Sequence, residues 1–163
     1  MEFIDEIKDK AKKFQKVIVL PETEDIRVIE AAAKVLQQGF AKIILLGDES
    51  KIRKKATGFD ISKSEIINPA DSALLPKYVD LLLELRAHKG MTKEKATELL
   101  INNPLYFGVA LVRDKKADGM VAGSLSPTAD VLRAALQIVG TQSGVKVVST
   151  FMLMVLKDSP LGY

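Results

Sequence analysis

Cysteine is absent from the 163 residues, histidine occurs once, and no apolar run approaches the ~20 residues that cross a bilayer. Without cysteine there are no disulfides, no thiolate metal sites and no thiol nucleophile. A disulfide-stapled secreted domain is thereby excluded. The single histidine, His88, has no serine–acid partner at triad spacing and belongs to no metal-ligand cluster. The first residues, MEFIDEIKDKAKKFQK, mix acids with bases and lack an apolar run. No signal peptide is expected from them, and the expected location is the cytoplasm.

Charge of one sign is also scarce. Twenty-four Lys and Arg against 21 Asp and Glu leave a net charge of +3, with lysines interleaved among acids as on solvated helix faces. The one basic cluster, KIRKK at 51–55, has no interleaved aromatics and no nucleic-acid motif around it. It reads as surface, with no nucleic-acid and no membrane partner expected. The 47% hydrophobic content fits a globular core, and the length fits one domain of ordinary size.

Apolar runs set the architecture. Phe3, Ile4, Ile7, Ala11 and Phe14 recur at helical spacing, which predicts an opening amphipathic helix. Short continuous runs at 17–20 (VIVL) and 43–46 (IILL) have the look of strands buried on both faces of a parallel sheet. A third strand is read at 65–67, a fourth opens at 119–122, and the run at 145–156 (VKVVSTFMLMVL) reads as a long fifth. Helices are expected near 26–38, 49–56, 76–88, 93–101, 105–112 and 128–139. Thr23 and Thr92 are candidate caps, and Gly39 and Gly90 candidate stops. Strand–helix alternation of this kind predicts an α/β fold in three layers, a mostly parallel sheet with helices on both faces. Residues 1–144 are assigned to a first domain. Residues 145–163 end in KDSPLGY with no closing helix and read as the start of a second.

Ligands in such sheets sit beyond the carboxyl ends of the strands. The most informative loop there is AGSLSPTADVLR at 122–133. Gly123 allows close backbone approach, Ser124 and Ser126 carry hydroxyls, and Pro127 suits the first helical position, making Ser126 the expected N-cap. Free N–H groups of the first turn, with Thr128 among its residues and Arg133 less than two turns on, favour an anion such as phosphate. A capped helix with one surface arginine is the competing reading. Neither a dinucleotide fingerprint nor a P-loop is present. In PETEDIR at 21–27, a local Asp25 or Glu24 helix start with an Arg27 surface pair explains the charges. Arg86 and His88 sit where a helix C-terminus favours cations.

The stretches LPETEDIR, IILLGDES, ELRAHKGMT, NPLYFGVALV, ADGMVAGS and TADVLRAALQIVGT run collinearly along nearly the whole chain. On these residues it resembles the phosphate acetyltransferase (phosphotransacetylase) family, and specifically its amino-terminal portion. The resemblance implies a two-domain fold similar to the isocitrate and isopropylmalate dehydrogenases, and usually a homodimer. It implies transfer of an acetyl group between coenzyme A and inorganic phosphate, with acetyl phosphate as product and coenzyme A as substrate rather than cofactor. No metal is implied. Arg86 and Arg133 match substrate-contacting arginines, and Gly123, Ser124, Ser126 and Thr128 line the expected substrate-binding loop. Family members often carry histidine and serine at the places of Ser126 and Pro127, and proline at that of Ala134, so acyl preference stays open between acetyl and butyryl. The family is about twice this length. Its serine–arginine phosphate motif and proposed aspartate base lie in the other half, so no catalytic residue is assigned here and the stretch alone is expected to be inactive. A non-catalytic acyl-coenzyme A-sensing domain is the alternative outside enzymes.

Overall fold

The computed structural model describes residues 2–154. Helix α1 (Glu2–Phe14) leads into β1 (Val17–Leu20), α2 (Ile26–Gln38), β2 (Lys42–Leu46), α3 (Glu49–Lys55) and β3 (Glu65–Ile67). Helix α4 (Leu75–Arg86) runs into a 3-10 turn (Ala87–Lys89) and is followed by α5 (Lys93–Asn102) and α6 (Pro104–Arg113). Strand β4 (Gly119–Met120) and helix α7 (Thr128–Ile138) complete the described elements.

The four strands are parallel in the order β3-β2-β1-β4. Their runs are continuous because both faces are covered. Val19, Ile44 and Leu46 enter one core with α4, α5, α6 and α7, whereas Leu20, Ile43 and Leu45 enter the other with α2 and α3. This is the expected three-layer α/β arrangement. Helix α6 lies at its centre, buried continuously from Leu105 to Leu111. Apolar on every side, it packs between the sheet and neighbouring helices instead of showing a polar face. It sits close because Gly108 has no side chain: a Cβ there would fall 2.7 Å from Met120 Sδ and 3.3 Å from Val19 Cγ1. Phe107 meets Tyr78 of α4 edge to face, ring centroids 5.1 Å apart.

Helix ends follow local chemistry. Asn103 Oδ1 accepts from Leu105 N at 3.1 Å with Pro104 opening α6, and Thr92 Oγ1 accepts from Lys95 N at 3.4 Å at the start of α5. Gly39 and Gly90 end their helices as expected. Thr23 is not a cap. Its hydroxyl donates instead to Leu46 O at 2.6 Å, and Asp25 caps α2.

The expected strand at 145–156 is corrected. Residues 145–154 form no strand, and Val147, Phe151, Met152 and Met154 are largely exposed. An apolar run becomes a strand only where an edge takes up its backbone groups and a face covers its side chains. Among the described residues it finds neither. Residues 155–156, and the KDSPLGY stretch, lie outside the described residues. Helix α1 forms as expected, but Ile4, Ile7 and Phe14 of its apolar stripe are exposed.

Candidate functional site

The strand order creates a topological switch point. From β1 the chain moves to β2 and β3 on one side, then returns to β4 on the other side of β1. The loops leaving β1 and β4, residues 21–25 and 121–127, therefore diverge at the carboxyl end of the sheet, where α/β folds open a crevice.

The β1 loop is pinned at both ends. Asp25 accepts from Arg27 N at 2.9 Å and is gripped by the Arg27 guanidinium, with Nη2 at 2.7 Å from Oδ2. Hydrogen bonding by the Arg27 side chain, then its N–H, outweighs burial and holds the Asp25 carboxyl at about 2. This is the expected local helix start and arginine pair. Arg27 Nη2 also reaches Ser124 O at 3.4 Å, tying the two loops together. Glu24 pairs with Lys55 of α3 at 2.6 Å.

Between them lies Glu22, only 5% exposed. Its Oε2 accepts from Gly123 N at 2.6 Å, Ser124 N at 2.8 Å and Ser124 Oγ at 3.1 Å. Its Oε1 accepts from Leu125 N at 3.1 Å and Ser126 N at 2.7 Å. Four successive backbone N–H groups thus wrap one carboxylate, a concave nest that favours an anion. Gly123 makes the curl possible at φ 106°, which side-chain-bearing residues rarely adopt. Burial, the largest influence, pushes Glu22 upward. Hydrogen bonding from a serine hydroxyl and from the Ser124, Ser126 and Gly123 N–H groups together outweighs it and leaves the carboxyl at about 2.

The anion expected at this turn is thus met first by the protein's own Glu22. The capping detail is corrected too. Pro127, extended at φ −58° and ψ 147°, stands at the N-cap of α7 with no side-chain cap, and Thr128 opens the helix. Ser126 is not the cap because its N–H faces Glu22 and the extended Pro127 separates it from the first turn. Ser124 and Thr128 are exposed and Ser126 is half-buried.

Arg133 lies on the exposed side of α7, paired with Asp130 one turn earlier. Arg86 is half-buried at the end of α4. The structure brings both within electrostatic reach of one phenol, Tyr106 of α6. Burial raises the Tyr106 pKa, Arg133 and Arg86 oppose that rise, and Asp130 adds to it. Tyr106 Oη donates to Gln137 Oε1 at 3.2 Å, four residues beyond Arg133 on α7. His88 is exposed in the 3-10 turn. Among the described residues no group of three or more His, Asp or Glu is placed to hold a metal. No described helix is long and apolar enough to cross a membrane.

Sequence reasoning missed Glu22 and Tyr106. Glu22 was visible as an acid after a buried strand, but its partners lie about a hundred residues on and follow only from strand order. Tyr106 carried a signal, since a phenol inside an apolar helix needs a polar partner.

A parallel sheet covered on both faces, with an amide nest filled by Glu22 at its switch point, defines a three-layer α/β protein. The model of the family described as "Phosphate acetyl/butaryl transferase" matches residues 2–163, and the chain belongs to that family. It is 44% identical over 163 residues to a phosphate acetyltransferase of Acetivibrio thermocellus, covering 100% of this chain and 49% of the relative. It is 46% identical over 162 residues to one of Thermoanaerobacterium thermosaccharolyticum, covering 99% and 49%. A phosphotransacetylase structure from Streptococcus pyogenes superposes with a TM-score of 0.83 at 36% identity, over 90% of this chain and 44% of that one. One from Staphylococcus aureus gives 0.80 at 43% identity, over 90% and 44%. The chain spans about half the length of the curated relatives it matches.

Proposed function

We propose that this chain is the amino-terminal α/β portion of a phosphate acetyltransferase, which exchanges acetyl between coenzyme A and inorganic phosphate. The observation that carries the reading is the match of the whole chain to the family, at 44–46% identity to relatives that bear that name, with Arg133 on the helix that follows the β4 loop. Residues 1–144 form the first domain and 145–163 begin a second. The protein works as a cytoplasmic homodimer with its active site between domains.

The substrates are polyanions. Arg86 and Arg133 supply charge-assisted hydrogen bonds to phosphate oxygens of coenzyme A or acetyl phosphate. To do so Arg133 shares its guanidinium with, or leaves, Asp130. The N–H groups around Glu22 are occupied, so the loop meets substrate through the Ser126 and Thr128 hydroxyls and the first turn of α7. Gly123 and Ser124 shape that surface from behind. In the direction of acetyl-coenzyme A synthesis, a base removes the thiol proton. The thiolate then attacks the acetyl carbonyl, the C–O bond to phosphate breaks, and inorganic phosphate leaves. Arginines stabilise the charge that develops on oxygen. The base belongs to the other half of such enzymes, and residues 1–163 alone are inactive on this reading.

The test is turnover by the full-length protein with phosphate and either acetyl- or butyryl-coenzyme A. Faster acetyl transfer is expected. Preference for butyryl reassigns the substrate, and acyl-coenzyme A binding without turnover of either replaces the enzyme by a sensor.

A further inference from the structure

We infer that Glu22 is a positioning residue of the substrate site, an internal anion that sets the shape of the 123–126 loop on which α7 and Arg133 depend. The inference rests on the transferase reading above, and it adds a residue that reading does not use. Three observations carry it. Glu22 comes from the loop after β1, on the far side of the switch point from the segment it organises. Its carboxylate takes up the N–H groups of Gly123, Ser124, Leu125 and Ser126, so the conformation of four consecutive residues is fixed by one side chain. The helix they lead into lacks a side-chain cap of its own, so the loop held by Glu22 sets how the chain enters it.

The effect reaches the arginine through a short covalent path. Residue 126 is held by Glu22, Pro127 is stiff, and α7 begins at Thr128 with Asp130 and Arg133 in its first two turns. With the loop released, the helix start and the Asp130–Arg133 pair lose their fixed approach to Tyr106 and Arg86. Ground-state substrate binding then suffers before chemistry does.

Glu22→Gln separates this from bulk stability. The amide keeps the size of the carboxyl but offers one acceptor oxygen. Its NH2 then confronts either the Gly123 and Ser124 N–H groups or those of Leu125 and Ser126. Steady-state kinetics of the full-length protein well below its melting temperature should show KM for coenzyme A or acetyl phosphate raised roughly tenfold, with kcat within about twofold. A purely structural role gives the opposite split, because a smaller folded fraction lowers the apparent kcat and leaves KM alone. Amide hydrogen exchange on the same variant should accelerate at Ser124 and Ser126. Unchanged KM for both substrates, whatever happens to kcat, overturns the inference, and so does unchanged exchange at those amides. Absence of transferase turnover in the parent instead sinks the functional reading beneath it.

Discussion

Arg133 is the residue on which the functional reading is most exposed. Its partner Asp130 is an i,i+3 neighbour on an accessible helix face, a pair that contributes little to folding. A substrate phosphate in the same place would draw hydrogen bonds worth roughly 1.5–3 kcal/mol from the guanidinium. In the full-length protein Arg133→Gln is therefore expected to lower kcat/KM by about tenfold to a hundredfold. Arg133→Lys should recover only part of this, because lysine restores charge without the planar fork. The thermal midpoint should stay put in both. Efficiency within about twofold of the parent makes Arg133 an ordinary surface residue, and parallel loss of activity and stability makes it structural. The residue was legible from its place after a glycine-containing turn, since the turn announced itself by composition. What occupies the turn was not legible. Glycine, serine and proline say that N–H groups will be free, but Glu22 reaches them only because β4 lies beside β1, and adjacency of strands is a property of topology.

At the scale of elements, the helices and the first four strands were read from short-range physics and stand where the apolar runs placed them, although the caps expected at Thr23 and Ser126 do not. The miss at 145–156 marks the limit of that reasoning. A continuous apolar run is compatible with a strand, but pairing partners decide the outcome, and the described residues offer this run none. Helix α6 makes the complementary point. Its apolar sequence predicted burial, yet its distance from the sheet depends on Gly108, where a side chain would run into Met120 and Val19. Gly108→Val should force α6 away from β1 and β4. Overpacking of a dense core costs about 1–3 kcal/mol, and the slightly better helix propensity of valine over glycine offsets only a few tenths of that. The measurement is a denaturation midpoint of the variant against the parent. An unchanged midpoint would mean that the helix–sheet interface has slack that these contacts do not reveal.

At the scale of the whole molecule, the two loops at the switch point make the fold sensitive to acid. Glu22, ordinarily near 4.5, is held at about 2 in the folded protein, and Asp25, ordinarily near 3.8, is also held at about 2. Both shifts are downward. The unfolded chain therefore binds protons before the folded one does, and the stability these groups contribute is fully present above their unfolded values. It is lost progressively as pH falls from about 4.5 towards 2. For the buried Glu22 the contribution is on the order of 3 kcal/mol. Glu22→Gln removes one titrating group and two of the anchoring acceptor sites, so it should melt below the parent at pH 7. Glutamine does not titrate, so the gap should narrow as the pH is lowered through 4.5, the parent losing stability that the variant never had. Paired thermal melts across pH 7 to 3 at constant ionic strength measure this. A gap that stays constant over the whole range would mean that the charge on Glu22 does not hold the loop. Its role would then reduce to the shape and neutral hydrogen bonds that glutamine keeps.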